Sequence, residues 1–201
     1  MTYDRVKQQR RSIRLAKYDY AQAGAYFVTI CSNNREYLFG RMADCAVLLN
    51  AFGDIAVHEW LRTAAVRHNV SLDAFVLMPN HLHGIIIITN ENVDTPTVRR
   101  GDPAGRPYMP NRAHGPSPGS IGAIIGQLKA ATTKRINVLR GTPGGPVWQR
   151  NYYEHIIRDE GEWNEIRQYI ADNPAAWETD DNNPSRHVEL GMKKDRRPDG
   201  H

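Results

Sequence analysis

FVLMPNHLHGIIIIT, residues 75–89, reads as two extended runs that meet at Met78-Pro79-Asn80. Successive residues of a strand point to opposite faces, so His81 and His83, two apart, present their imidazoles on one side. Behind them Ile85 to Ile88 form an unbroken apolar run, the pattern of a central strand covered on both faces. The pair therefore heads a strand anchored in the core, a rigid platform for a site. An isolated His-x-His pair also occurs as plain surface decoration, and the spacing alone leaves both readings open. A closed structural zinc site wants four ligands, so two histidines fit better an open site completed by other oxygens.

Upstream, AYFVTICSN (25–33) is rich in β-branched and aromatic residues and predicts the first strand. NNREYLFG (33–40) reads as a connecting hairpin or loop. Residues 44–67 predict a helix, with Leu49, Phe52, Ala56 and Trp60 three and four apart on one face. Two strands, 73–79 and 81–89, follow. Further on, residues 120–138 predict an amphipathic helix with Ser120 as N-cap and Ile121, Ile124, Ile125 and Leu128 inward. VWQRNYYEHIIR (147–158) predicts another strand, and residues 160–172 a helix stopped before Pro174. The order β-α-β-β-α-β with one helix appended makes an α+β protein. It is a ferredoxin-like (RRM-like) antiparallel sheet whose C-terminal helix carries Tyr169.

Around this domain (25–177) lie a basic N-terminal arm (1–24) and a polar tail (178–201). Within it, residues 92–119 hold six prolines, four glycines and Arg99, Arg100, Arg106 and Arg112, and read as a flexible basic insert. The chain of 201 residues is long enough to bury a core, and its formal charge is +4. No run of 18 apolar residues exists, so no membrane-spanning helix is expected, and the N-terminus lacks a secretory apolar region. Cys31 and Cys45 make neither a disulfide framework nor a metal-binding spacing, which predicts a cytoplasmic protein. Arg10, Arg11 and Arg14 in the arm, and Lys129, Lys134 and Arg135 on the second helix, are candidates for phosphate contacts.

Near the C-terminus, Tyr169-Ile-Ala-Asp-Asn-Pro174 places Tyr169 and Asn173 one helical turn apart on one face. A tyrosine hydroxyl is a poor nucleophile at its ordinary pKa, and a metal that polarises a phosphodiester lowers the demand on it. Asn173 can offer an amide oxygen to that metal, and it equally suits a helix C-cap before proline. Tyr152 and Tyr153 alternate across a strand, so at most one faces the same site, and packing or base stacking suits them. His155 and Arg158 are weaker DNA-contact candidates.

MPNHLHGIII (78–87) followed by WQRNYYEHIIRDEGEWNEIRQYIADNPAAW (148–177) resembles the HUH single-tyrosine transposases, named for histidine, hydrophobic residue, histidine. RRSIRLAKYDYAQAGAYFVTICSNNREYLFG (10–40) narrows the resemblance to the REP-associated tyrosine transposases. The match covers roughly residues 10–90 and 120–177 and leaves the insert and the tail uncovered. It implies His81 and His83 as metal ligands, Tyr169 as nucleophile and Asn173 as the additional ligand. It implies Mg²⁺ or Mn²⁺ as cofactor, with imidazole favouring Mn²⁺ or later ions. It further implies cleavage of single-stranded, hairpin-forming repetitive DNA (REP-like repeats) through a 5′-phosphotyrosine, with strand transfer, by a nucleoid-associated monomer or homodimer. A non-catalytic single-strand-binding protein on the same sheet is the alternative.

Overall fold

The computed structural model describes residues 22–89 and 116–186. Arg10, Arg11 and Arg14, and the four arginines of the insert, lie outside the described residues. Among the described residues, six strands and three α-helices run in chain order: β1 (Gly24–Cys31), β2 (Gly40–Ala43), β3 (Ala46–Leu49), α1 (Ala51–Ala65), β4 (Val70–Leu77), β5 (His81–Ile88), α2 (Ile121–Arg140), β6 (Tyr153–Ile157) and α3 (Glu160–Asp172). β4, β5, β1 and β6 form one antiparallel sheet in that order, and β2 and β3 form a separate hairpin. Without that hairpin, the β-α-β-β-α-β order is the expected ferredoxin-like sheet.

Strand alternation sorts the core into two layers. From β1, Tyr26, Val28 and Ile30 face α1 and α2, and so do Leu82, Ile86 and Ile88 of β5. Ala25 and Phe27 of β1 and Ile85 of β5 face the other way, onto Ile166 and Ile170 of α3. His81 and His83 share the parity of Ile85 and so lie beneath α3. The appended helix thus covers the second face of the sheet. Between the histidines and the isoleucine run, Gly84 makes room for Trp60: a Cβ there would sit 2.4 Å from the indole ring. In β4 the ladder slips between Leu72 and Phe75. This bulge turns both Asp73 and Ala74 toward α3.

Several boundaries differ from the sequence reading. The first helix starts at Ala51, not at residue 44. Asp44 and Cys45, at φ 48° and 59°, make a left-handed two-residue turn between β2 and β3. Asn50 then caps α1, its side chain accepting from the N–H groups of Phe52 and Gly53. Leu49 mimicked the helical spacing but is the last residue of β3. The last strand is confined to Tyr153–Ile157, and before it only Trp148 bridges Ser32. The packed chain also continues past Trp177. Residues 178–186 fold back on the sheet end, with Asp180 and Asn183 buried. That stretch is held by polar contacts, Asn183 Nδ2 to the Trp177 carbonyl and Arg35 to the Asp181 carbonyl, so apolar periodicity missed it.

Candidate active site

Three elements meet beneath α3. The head of β5 supplies His81 and His83, the last turn of α3 supplies Tyr169 and Asn173, and the returning segment supplies Asp180. Both imidazoles are anchored through Nδ1. His83 Nδ1 lies 2.8 Å from the Thr29 hydroxyl on the neighbouring strand, and His81 Nδ1 lies 2.8 Å from Asn80 Oδ1. The Nε2 atoms face inward. His83 Nε2 is 3.1 Å from the Tyr169 hydroxyl, and His81 Nε2 is 4.0 Å from Asp180 Oδ2. One donor atom from each of His81, His83 and Asp180 falls within 4.8 Å of the others, and all three residues are buried.

Asn80 fixes more than a ring. Its Nδ2 donates to the carbonyls of Arg35 (3.0 Å) and Asn182 (2.8 Å), joining the 33–36 loop and the returning segment to the histidine strand. Trp177 stacks on His81 with centroids 6.1 Å apart, and Phe27 stacks on His83 at 5.5 Å. Phe27 also meets the Tyr169 ring edge-on. The apolar walls hold the rings in place while the polar atoms converge.

Of the two roles open to Asn173 in the sequence, the structure shows the helix cap. Its backbone is the C-cap of α3, and its Nδ2 donates to the Tyr169 hydroxyl (3.2 Å) and to Asp180 Oδ2 (2.9 Å). Its Oδ1 is buried and without a hydrogen-bond partner among the described residues. Two imidazoles and a carboxylate are a donor set that fits a divalent ion with open positions, and the Asn173 amide adjoins them. A buried acceptor without a partner costs free energy that a cation would recover. The Asp180 carboxylate is itself fixed, Oδ1 accepting from the Asn182 N–H at 2.6 Å. Asp180, Asn80 and Thr29 are the residues the sequence reading missed. Asp180 lies in the stretch that reads as a polar tail and Asn80 at the junction of the two extended runs, while Thr29 carries no signal beyond its strand.

The structure distributes the cationic candidates differently. Lys129 donates its ammonium to the carbonyls of Gln149, Arg150 and Asn151, and burial pulls its pKa down to about 8. Arg135 pairs with buried Glu59 at 2.6 Å. Burial pushes the Glu59 carboxyl up, but hydrogen bonds from Arg135 and Arg62 outweigh it and hold it below its ordinary range. His155 pairs with Glu162 at 2.6 Å, and Tyr152 donates to Glu154. Lys134 and Arg158 are exposed.

No protein-family model matches the chain. An uncharacterized protein of Haemophilus influenzae is 38% identical over 181 residues, covering 89% of this chain and 95% of that protein. Among solved structures, a REP-associated tyrosine transposase bound to a REP hairpin matches with a TM-score of 0.51 at 18% identity, over 81% of this chain and 72% of that one. A structure from Deinococcus radiodurans matches with a TM-score of 0.42 at 17% identity, over 79% of this chain and 95% of that one, too distant to bear on the site. The chain therefore belongs to one family with the Haemophilus influenzae protein, on the fold of the REP-associated tyrosine transposase.

Proposed function

We propose that this protein is a metal-dependent endonuclease and strand transferase of single-stranded, hairpin-forming DNA. The observation that carries this reading is the Tyr169 hydroxyl 3.1 Å from His83 Nε2, beside the buried cluster of His81, His83 and Asp180. The fold neighbour's REP hairpin supports repetitive hairpin DNA as the substrate class. His81, His83 and Asp180 would hold the ion, with Asn173 Oδ1 as a fourth donor, and Mn²⁺ or Mg²⁺ suits the mixed nitrogen and oxygen set. Bound there, the ion supplies Lewis-acid polarisation of the scissile phosphate.

The remaining work falls to the chain itself. Asn173 Nδ2 orients the phenol oxygen by donating to it. Phe27 and Ile170 shield the ring side of Tyr169 from water. As the Tyr169 oxygen bonds to phosphorus, the bond from phosphorus to the 3′-oxygen breaks. The phenol gives up its proton and the departing 3′-oxygen takes one up, leaving a 5′-phosphotyrosine and a 3′-hydroxyl. The phosphoester is retained in the protein–DNA link, so rejoining runs the same steps backward and needs no nucleotide cofactor.

The test incubates a labelled hairpin oligonucleotide with Mn²⁺ or Mg²⁺ and resolves protein–DNA adducts by denaturing electrophoresis. Wild type is expected to form an adduct that Tyr169→Phe does not. An adduct surviving in the Phe variant overturns the role of Tyr169. Cleavage by that variant without an adduct assigns the attack to water, and tight binding with no cleavage under any metal leaves only a binding protein.

A further inference from the structure

Away from the tyrosine site, a groove of about 680 Å³ lies between the C-terminal half of α2 and residues 143–150. Its lining includes Lys129, Lys134 and Arg150 and no acidic residue. Lys134 and Arg150 are exposed at its rim, and Lys129 ties the 149–151 backbone to α2 with three hydrogen bonds, which shapes the wall. The floor is apolar: Pro143, Pro146 and Val147, with Val138 standing 77% exposed at the lip. The Trp148 ring is spent on Phe39, with centroids 4.7 Å apart, and offers little stacking surface.

The groove reaches the neighbourhood of the histidines. Gln149, part of its lining, donates its N–H to the Cys31 carbonyl at 2.9 Å, and Cys31 pairs with His81 across β1 and β5. Two interstrand spacings, about 10 Å, separate the near wall from the histidine strand. On its other side Cys31 meets the returning segment, its Sγ 3.7 Å from Asn182 Oδ1.

Cations at the rim, apolar surface between them and no opposing acid match a polyanion with flat apolar faces. We infer that this groove holds the single strand flanking the scissile phosphate, its phosphates on Lys134 and Arg150 and its bases against Pro146 and Val138. The inference rests on the function proposed above. Without an aromatic platform or a fixed polar reader on the floor, the groove supplies salt-dependent affinity rather than base identity.

The test uses the full chain carrying Tyr169→Phe and a fluorescein-labelled oligothymidine of about twenty nucleotides, read by anisotropy at several salt concentrations. Lys134→Glu with Arg150→Glu is expected to weaken binding at least about tenfold and to flatten the logarithmic salt slope by about 1.4, two lost contacts at 0.7 each. Arg41→Glu, on the exposed hairpin away from the groove, is expected to change neither. A double variant that behaves like Arg41→Glu, or a parent that does not bind oligothymidine, overturns the groove. The adduct assay with Tyr169 intact reads the proposed function separately. Adducts with an unaffected double variant sink the groove alone, and weakened binding without any adduct sinks the catalytic reading alone.

Discussion

Asn80 shows how a single buried amide can set the chemistry of a histidine. Its Nδ2 donates to two backbone carbonyls, and a carbonyl cannot donate in return, so its Oδ1 must be the atom facing His81 Nδ1. His81 Nδ1 is then the donor, and Nε2, the atom turned toward Asp180, carries the ring's lone pair, an anchoring of the kind that tunes metal-bound imidazoles. Asn80→Ala is expected to weaken Mn²⁺ binding by roughly 10–100-fold, read by calorimetric titration of the purified protein. Asn80→Asp is not expected to rescue it, because a carboxylate would face the Arg35 and Asn182 carbonyls. Unchanged Mn²⁺ affinity in a folded Asn80→Ala variant would remove Asn80 from the site. Asp180→Asn is expected to cost affinity by the same measurement, since it replaces a buried carboxylate beside the histidines with a neutral amide. An affinity equal to wild type would take Asp180 out of the ligand set.

The tyrosine helix depends on the β4 bulge. Asp73, turned out by that bulge, accepts from Trp163 Nε1 and from Arg167 Nε (2.8 Å) and Nη2 (2.7 Å), all on α3. Burial pushes the Asp73 carboxyl up, but hydrogen bonds from Arg167 and Trp163 outweigh it and hold it below its ordinary value of 3.8. A lowered folded pKa means the folded protein binds fewer protons than the unfolded chain, so the contribution is complete above 3.8 and lost as pH falls through the folded value. Asp73→Ala is expected to cost about 1 kcal/mol near neutral pH, a modest figure because Arg167 is half exposed. The gap in thermal stability from wild type should close in acid; a gap unchanged there would show that the loss is not electrostatic. The bounds of α3 were legible because Glu160, Trp163, Ile166 and Ile170 carry helical signals and Pro174 stops them. α1 was misjudged because Leu49 sits three residues before Phe52, and only the left-handed turn at Asp44 and Cys45 separates strand from helix. His81, His83 and Tyr169 were legible from spacing and resemblance. Asp180 was not, because a buried carboxylate among Asp181, Asn182 and Asn183 looks like solvated tail until the chain folds back.

On the scale of the whole molecule, net charge does not reveal which cations are already paired within the fold. Arg135 sits on the expected helix yet neutralises Glu59, 5% exposed between α1 and α2. Its loss would strand a buried carboxylate, so reduced DNA binding in an Arg135 variant would report stability as much as contact. The cluster of His81, His83 and Asp180, by contrast, lies at the end of the sheet, outside the large apolar layer that α1 and α2 cover. Its donors are anchored by Thr29, Asn80 and Asn182, so the fold does not depend on an ion to assemble it. Chelation is therefore expected to abolish adduct formation while leaving the circular dichroism spectrum unchanged. An ion that binds only the folded chain must still stabilise it by mass action, by about 2.7 kcal/mol at a hundredfold excess over Kd. For a chain of this size that is a rise in Tm of roughly 5–10 °C. Thermal melts with and without Mn²⁺ should show this rise in wild type and lose it in His83→Ala, which keeps the apolar layers but removes one donor. An equal rise in both proteins would place the ion elsewhere and separate the histidine pair from metal binding altogether.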